Sequence, residues 1–434
     1  MEKVALTYSV FKTIQLSQAE DMSAFKRAKH DLKKRLDILN DLLNHQMYGS
    51  VDSPVNYDTW LTSHKPFHWL AEFYEIINDN GGFDVIIGNP PYVEYNKKVQ
   101  GLAVSDIYKL KNYKTLSCGN LYVYCIERSK TIFKESGAFG MIVPLSLSCG
   151  NRMDVLRSFI LNNFKCNYFA NFEIFPSKLF DGAFQRITIM ISNNLSKEKM
   201  AMITKLHRWY SIERKSLFSE IDYTKADLLL SEIGIAKFNT DLHASILKKI
   251  IPCTKLAGYV TKLSSANFIY YQEATNYWMK ASMRIPYYKK NGVIETPAHG
   301  RTLFFKNETD KEIVFGLINS SLFYIWYIAF SDGFHLSDNV VKRFPVDIKF
   351  MSNLEVISLA KKLQSDIDFN SFTTTRNTAK DNIEIESFRV NASKSIIDEI
   401  DKVLAKHYGF TEEELDFIIN YDIKYRMGDE LNEE

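Results

Sequence analysis

No Cys-x-x-Cys pair occurs in this sequence, although it contains five cysteines. No histidine and cysteine residues are grouped at the spacing of metal ligands, so we expect reduced core cysteines and no bound metal. The sequence also lacks an uncharged apolar stretch of the roughly 18 residues that span a bilayer. Its N-terminus has no apolar segment typical of a secretory signal. These absences predict a cytoplasmic protein with neither a metal site nor a membrane partner.

A strong net charge is missing as well. The 54 basic residues are almost balanced by 52 acidic ones, which leaves a net charge of +2. No basic field over the whole protein therefore attracts nucleic acid, and any such contact must be local. Apolar residues, in contrast, are plentiful, because 46% of the 434 residues are hydrophobic and 14% are aromatic. A chain of this length and composition can bury large cores in two or three domains.

The order of helical and strand patterns indicates an α/β fold. Residues 20–46 place leucines on one face at helical spacing, and most of the chain before residue 83 shows helical patterns. From there strand and helix patterns alternate: FDVIIG (strand), GNLYVYCIERSKTIFKES (helix), GAFGMIVPLSL (strand), NRMDVLRSFILNN (helix), CNYFANFEIF and QRITIMISN (strands). This rhythm is typical of a doubly wound parallel sheet.

The pattern changes again near residue 240. Aromatic and basic residues interleave in NFIYYQEATNYWMKASMRIPYYKKNG, which indicates a separate, irregular α/β module, and a polar stretch follows at 368–382. The tail is predicted to form a helical hairpin. Gly409 suits the end of its first helix, while Thr411 and Glu414 form a capping box for the second.

The short run Asn89-Pro90-Pro91-Tyr92 is the most specific motif. It directly follows the predicted buried strand FDVIIG, at the carboxyl end where open α/β sheets bind ligands. Two prolines remove two backbone donors and leave carbonyl acceptors, and Asn89 adds a side-chain acceptor. Tyr92 adds a flat ring. An ordinary loop corner is the alternative, but average residue usage makes this tetrapeptide a chance event in only about one in a thousand such chains.

This combination suits a planar ring that carries an exocyclic amino group. Two acceptors can take both N–H bonds of the amine while the tyrosine ring stacks on the base, a contact worth roughly 1–3 kcal/mol. Because stacking needs the ring, we expect the Tyr92 hydroxyl to be dispensable. The bonded amine nitrogen is biased toward tetrahedral geometry, so its lone pair becomes available to attack an activated methyl donor.

The sequence resembles the gamma-class N6-adenine DNA methyltransferases, particularly the type IIG restriction-modification group. The resemblance rests on GGFDVIIGNPPYV, on SHKPFHWLAEF before it, and on GNLYVYCIERS and GAFGMIVPLSL after it; it extends from about residue 30 to the C-terminus. It implies a site-specific adenine DNA methyltransferase that uses S-adenosylmethionine and double-stranded DNA.

The resemblance also implies roles for individual residues. Asn89 and the Pro90 carbonyl would hold the adenine amine, Pro91 would complete the corner, and Tyr92 would stack on the flipped base. In SKLFDGAFQRITIMI, Phe180 is the first candidate for a second stacking ring and Phe184 the reserve, with core packing as the alternative for both. Three basic residues of the later module are expected to contact DNA phosphates: Arg284, Lys289 and Lys290.

The resemblance divides the chain into four predicted parts. A mainly helical segment at 1–78 is the remnant of the methyltransferase domain, and 79–238 is its catalytic part. The target-recognition domain follows at 239–375, and 376–434 is a helical tail. The predicted fold is thus a partial Rossmann-like methyltransferase sheet, an irregular α/β recognition domain and a C-terminal helical hairpin.

One feature of the family is absent. No Gly-x-Gly occurs anywhere in the chain, and only Gly49, Gly81 and Gly82 precede the strand FDVIIG that leads into the motif, so the glycine-rich turn that binds the cofactor is missing. S-Adenosylmethionine binding by this chain alone is therefore doubtful, and we expect a C-terminal half that is completed by an upstream half-chain. The alternatives are a catalytically inactive DNA-recognition subunit and a methyltransferase acting on protein glutamine or RNA guanine.

Overall fold

The structure, a computed structural model, describes residues 2–17, 21–51, 55–226, 234–378 and 381–428. The chain forms two compact units. The first comprises Met1–Ile142, Phe159–Cys166 and Met190–Lys199; the second comprises Val143–Ser158, Asn167–Ile189 and Met200–Glu434.

Helices dominate the chain up to the motif, as predicted. Up to residue 207 the helices and strands are α1 (Glu2–Leu16), α2 (Met22–Ser50), α3 (Tyr57–His64), α4 (Trp69–Glu72), β1 (Phe83–Gly88), α5 (Val104–Ile107), α6 (Leu121–Lys130), β2 (Phe133–Pro144), α7 (Ser146–Cys149), α8 (Asp154–Asn163), β3 (Cys166–Phe172), β4 (Ile187–Asn193) and β5 (Met200–His207).

Short strands and longer helices make up the remainder. They are β6 (Thr224–Lys225), α9 (Asp241–Ile250), β7 (Thr254–Lys255), β8 (Val260–Thr261), β9 (Phe268–Gln272), β10 (Ala281–Ser282), β11 (Tyr288–Lys290), β12 (Val293–Ile294), β13 (Gly300–Phe305), α10 (Glu308–Asn319), α11 (Ser321–Phe330), α12 (Asp338–Lys342), β14 (Pro345–Val346), α13 (Leu354–Phe369), β15 (Ser371–Asn377), β16 (Asn382–Phe388), α14 (Lys394–Tyr408), α15 (Glu412–Asn420) and α16 (Ile423–Arg426).

Within the described residues the strands form one large and three small sheets. The large sheet has the order β1-β2-β4-β3-β5-β6, so β1 lies at one end of it. Strands β1 and β2 are parallel, whereas β5 and β6 are antiparallel. The α/β class is confirmed, but the sheet is mixed rather than wholly parallel because β6 returns beside β5. The small sheets have the orders β10-β9-β13-β8, β12-β11-β16-β15 and β14-β7.

The start of β1 is fixed by a glycine. Gly82 has a φ of +120°, and a Cβ there would lie 2.7 Å from the Ile132 carbonyl oxygen. Only glycine allows this close approach. The Phe83 N–H then donates to the same carbonyl at 2.9 Å, which sets the start of β1 beside β2.

The predicted helix over 119–136 was too long. Helix α6 ends at Lys130 and β2 begins at Phe133. The Phe133 ring packs 6.0 Å from Phe139 and 5.6 Å from Phe164, so burial of this aromatic cluster favours a strand over a further helical turn. Tertiary packing thus overrides the helical period at this point.

The core of the second unit contains α10 and α11. All residues of α11 are buried, and the Trp326 ring lies 4.4 Å from Phe330. No single helix of the described residues is long and apolar enough to cross a membrane; α10 and α11 meet that requirement only as a pair bent by 67°. The carboxylate of Asp401 on α14 accepts hydrogen bonds from the N–H groups of Ser321 and Leu322, at the start of α11.

The predicted helical hairpin at the tail is confirmed. Gly409 ends α14 in the left-handed conformation, with φ 67°. Thr411 and Glu414 form the capping box at the start of α15. Sequence signals at helix ends were therefore reliable here.

Candidate functional site

The Asn89–Tyr92 corner lies immediately after β1 in the first unit. Gly88 is paired with Met141 of β2, and the pairing of β1 stops there because neither Pro90 nor Pro91 has an N–H to donate. Pro90 is buried, whereas Asn89 is exposed. The corner therefore holds Pro90 against the protein, while Asn89 and Pro91 are open to solvent.

The Tyr92 side chain is fixed by its hydroxyl and its ring. The hydroxyl lies 2.6 Å from Asn89 Oδ1 and 2.8 Å from the Ile142 carbonyl oxygen, and it can donate its one proton to either. Burial raises the pKa of Tyr92 to about 12, so the hydroxyl stays a donor at neutral pH. The ring meets the fully buried Tyr122 edge-on at 6.4 Å. The aromatic face next to Asn89 is thus held in place.

The segment after the corner is anchored to the start of α6. The Leu121 N–H donates to the Val93 carbonyl at 2.9 Å, and the Tyr95 N–H donates to the Gly119 carbonyl at 2.8 Å. Asn120 donates from Nδ2 to Glu94 Oε1 at 3.2 Å. These contacts join the corner to the GNLYVY run, which sequence reasoning used only as a flank of the motif.

Asn120 is a polar residue that the sequence reasoning missed. Its side chain is buried, and its Oδ1 has no hydrogen-bond partner among the described residues. An unpaired buried acceptor is unfavourable by about 1–3 kcal/mol, so such groups usually have a role. Asn120 bonds to Glu94 and lies two residues before Tyr122, which packs against Tyr92, so it helps to hold the corner in place.

An apolar cavity of about 560 Å³ runs along β1 beside the corner. Its walls include Val85, Ile87, Pro91 and the side of α6, and Arg128 is the one charged residue that lines it. Although β1 was predicted to be buried, Val85 and Ile87 are 63% and 84% exposed. The corner therefore borders an open apolar surface.

The two candidate stacking residues belong to the second unit. Phe180 and Phe184 are both exposed, so neither is a core residue. Lys178 Nζ lies 4.4 Å from the centre of the Phe184 ring. Their contact with a base stays a prediction.

The three predicted phosphate contacts have acidic partners within the second unit. Arg284 donates two hydrogen bonds to Glu386, at 2.6 and 2.8 Å, and also pairs with Asp368 at 2.8 Å. The Arg284 guanidinium holds the pKa of Glu386 at about 2. The other two pairs are Lys289 with Glu384 at 3.1 Å and Lys290 with Asp381 at 3.3 Å.

These pairs connect β11 and the residues before it to the β16 hairpin. They give all three cations a structural role, and their contact with DNA stays a prediction. The described residues contain no group of three or more histidine, cysteine or acidic side chains arranged to hold a metal ion.

Residues 3–180 match the family described as Eco57I restriction-modification methylase. This part of the chain, less than half of its length, is similar to that family. The match includes the whole corner, β1, β2 and α6, so the residues that form the site are those that carry the family likeness.

Curated relatives agree with this assignment. The type II methyltransferase M.BstVI of Geobacillus stearothermophilus is 27% identical over 155 residues, which cover 35% of this chain and 24% of that protein. The type II restriction enzyme and methyltransferase RM.Eco57I of Escherichia coli is 28% identical over 155 residues, covering 34% of this chain and 15% of that protein. The chain spans only 7% to 24% of the length of the curated relatives that it matches.

Among solved structures, the type IIL restriction-modification enzyme MmeI in complex with DNA has a TM-score of 0.41 and 11% identity. The alignment covers 79% of this chain and 57% of that one. A TM-score this low does not establish a shared fold. The likeness to restriction-modification methyltransferases therefore rests on the sequence matches.

Proposed function

We propose that this chain supplies the target-amine half of a site-specific DNA adenine-N6 methyltransferase of a restriction-modification system. The observation that carries the proposal is the exposed Asn89 amide, held beside the fixed ring of Tyr92 at the end of β1. The family match supports the methyltransferase class. Adenine as the target and DNA as the substrate are parts of the proposal.

The corner can bind an amino group without losing the hydrogen bond of its tyrosine. In this proposal Asn89 Oδ1 and the Pro90 carbonyl accept the two N–H bonds of the adenine amine. The Tyr92 hydroxyl then donates to the Ile142 carbonyl, which already lies 2.8 Å away. The amine is thereby oriented with its lone pair free, and no strong general base is required.

The adenine ring must leave the DNA helix to reach this corner. Enzymes that modify a base commonly flip it out of the stack and hold it against an aromatic side chain. Tyr92 provides that surface here, and stacking on it contributes roughly 1–3 kcal/mol. Phe180, or Phe184 in its place, is proposed to cover the opposite face of the base.

The residues present do not fit a site for S-adenosylmethionine. The sequence contains no Gly-x-Gly, and the first strand of the large sheet is β1 itself, so no described strand precedes it to carry a cofactor turn. The work of this chain is therefore confined to binding and orienting the amine. We propose that an upstream half-chain holds S-adenosylmethionine as the methyl donor.

The open side of β1 is the proposed docking surface for that half-chain. Its backbone edge ends the sheet, Val85 and Ile87 are exposed, and the neighbouring cavity is almost wholly apolar. An added strand would pair with this edge and cover both side chains. Burying each contributes about 1.5–3 kcal/mol, so the surface favours association.

Methyl transfer by the assembled protein tests the proposal. The chain is coexpressed with candidate upstream half-chains, incubated with duplex DNA and labelled methyl donor, and the DNA is digested to nucleosides. We expect N6-methyl-2′-deoxyadenosine, formed only when both chains are present. Label in protein, in RNA or in cytosine would contradict the proposal, and sequence-specific binding without label would indicate the inactive recognition subunit instead.

A further inference from the structure

Two hairpins lie side by side in the sheet β12-β11-β16-β15 of the second unit. The first turns at Asn291 and Gly292, which have φ angles of 51° and 88°, as a tight two-residue hairpin requires. The Asn291 N–H donates to the Asn382 carbonyl at 2.8 Å, so the tips of the two hairpins lie at the same end of the sheet.

The second hairpin consists of the strands Ser371–Asn377 and Asn382–Phe388, and we call it the outer ribbon. Its strands pair over seven residues, from Ser371 opposite Phe388 to Asn377 opposite Asn382. At about 3.4 Å per residue the ribbon is roughly 24 Å long. The sequence pattern did not predict it, because Phe372 is the one apolar residue of its outer strand and no apolar alternation is present.

The outer strand β15 is open to solvent on three sides. Residues 372–377 are exposed although successive side chains point to opposite faces, and β15 ends the sheet. Thr373, Thr375 and Asn377 are on one face, while Thr374 and Arg376 are on the other. A strand uncovered on both faces and along one edge is available to enter a groove.

The charges of the ribbon also favour this role. The acidic residues of β16, Glu384 and Glu386, are bonded to Lys289 and Arg284. The outer strand itself carries no acidic residue, and Arg376 has no carboxylate within ion-pair distance among the described residues. The strand facing solvent is thus polar and positively charged, while the acids behind it are neutralised.

We infer that the outer ribbon enters the major groove of duplex DNA and that side chains of β15 read the base edges. The major groove accepts a two-stranded ribbon of this kind. An arginine can bind guanine through two hydrogen bonds, an asparagine can do the same with adenine, and threonine methyl groups can contact thymine. The inference rests on the proposed function in one respect, namely that duplex DNA is the substrate.

Arg376, which shares one face of β15 with Thr374, is the reading residue, in contrast to Arg284, Lys289 and Lys290. Those three cations are bonded to acids and fix the ribbon to β11. Their substitution changes the position of the ribbon as a whole. Substitution on β15 removes one base contact and leaves the sheet intact, which makes the two groups separable.

Selection from randomised duplex DNA with the full chain tests this inference. We expect a defined preferred sequence for the unaltered chain. Arg376→Gln should relax the preference at one or two adjacent base pairs, by about 5- to 150-fold in discrimination. The control, Arg35→Gln, removes the same charge from an exposed position on α2 and should leave every preference unchanged. Thermal melting of each variant should match the unaltered chain.

Three outcomes would overturn the inference: a chain that binds all duplexes alike or not at all, an Arg376 variant that keeps the full preference, and an equal loss with Arg35→Gln. Failure of the proposed function is visible separately. In that case the preference and its dependence on β15 remain, while the assembled protein transfers no methyl group.

Discussion

The two compact units differ in what they leave uncovered. In the first, β1 exposes Val85 and Ile87 beside the corner, and α1 leaves Leu6 69% exposed. In the second, α11 is buried along its whole length, and Asp401 caps its start. The first unit thus presents apolar surface on a strand and a helix, whereas the second encloses its most apolar helix.

The second unit also leaves apolar residues exposed, such as Ile212, but in the first unit they lie on the strand at the edge of the sheet, beside the corner. Large exposed apolar surfaces on folded proteins usually mark interaction sites. In the first unit that surface borders Pro91, so the open side of β1 and the amine-binding corner adjoin each other. The partner that covers β1 would therefore also complete the site.

The largest effect is expected from a substitution in the Asn89–Tyr92 corner of the first unit. Asn89→Ala should lower methyl transfer by the assembled protein at least about 100-fold, because it removes an acceptor needed in the transition state. Asn89 is exposed, so folding should not change. The control is Asn96→Ala, an exposed asparagine outside the motif. Equal activity of the two variants would sink the catalytic assignment.

The next effect concerns association. Ile87→Lys places a charge on the open side of β1 and should weaken binding of the upstream half-chain roughly 10- to 100-fold, since burial of the isoleucine is lost. The isolated chain should become more soluble. Ile212→Lys, at a position that is 90% exposed in the second unit, is the matched control. Calorimetric titration of one chain with the other measures both variants, and unchanged affinity for Ile87→Lys would place the interface elsewhere.

The second unit offers a test of stability at the buried His243. Neither ring nitrogen of this buried residue has a hydrogen-bond partner among the described residues, and aromatic rings surround it. Burial lowers the pKa of His243 to about 3, whereas the unfolded value is about 6.5. Below pH 6.5 the unfolded chain binds a proton at His243, whereas the native chain keeps this histidine neutral. The free energy of unfolding therefore has its full value above about pH 6.5 and decreases as the pH falls toward about 3, the folded pKa of His243.

His243→Leu should accordingly raise the free energy of unfolding by about 1–3 kcal/mol at neutral pH, because two unpaired polar atoms leave the core. The gain should be larger at pH 5 than at pH 8. Thermal melting at both pH values measures it, with the exposed His299→Leu as the control. A variant that melts lower than the unaltered chain at both pH values would show that the ring nitrogens are satisfied.

The smallest effect concerns the Tyr92 hydroxyl. Because it is bonded to the Ile142 carbonyl or to Asn89, Tyr92→Phe should lower methyl transfer by about 0.5–1.5 kcal/mol, or two- to tenfold. This revises the expectation from the sequence that only the ring matters. Tyr92→Ala should be worse because stacking is lost too. Full activity of the phenylalanine variant would restore the original expectation; Tyr8→Phe, at an exposed tyrosine, is the control.

Local signals in the sequence predicted much of the fold. The strand before Asn89, the helical N-terminus and the caps at Gly409 and Thr411 were all evident, because hydrophobic period and cap chemistry depend on neighbouring residues. The outer ribbon was missed because its pairing is specified by strand β16 and by ion pairs to β11. These partners lie up to about a hundred residues apart in the chain.

For the site, too, the sequence predicted the residues of the short motif but not their distant partners. Asn89 and Tyr92 belong to one short motif, so the sequence alone could identify them. The Ile142 carbonyl that receives the Tyr92 hydroxyl lies 50 residues away, and a backbone acceptor leaves no mark in a sequence. Likewise, nothing near Arg284 shows that Glu386 would occupy its guanidinium.

Titration of S-adenosylmethionine into the purified chain, alone and with its upstream half-chain, tests the central claim most directly. The claim is that the described residues hold the target amine and lack the donor site. Calorimetry should therefore detect no binding by the chain alone and binding once the partner is added. Micromolar binding by the monomeric chain alone would contradict the account, since it would require a cofactor site within the residues before β1.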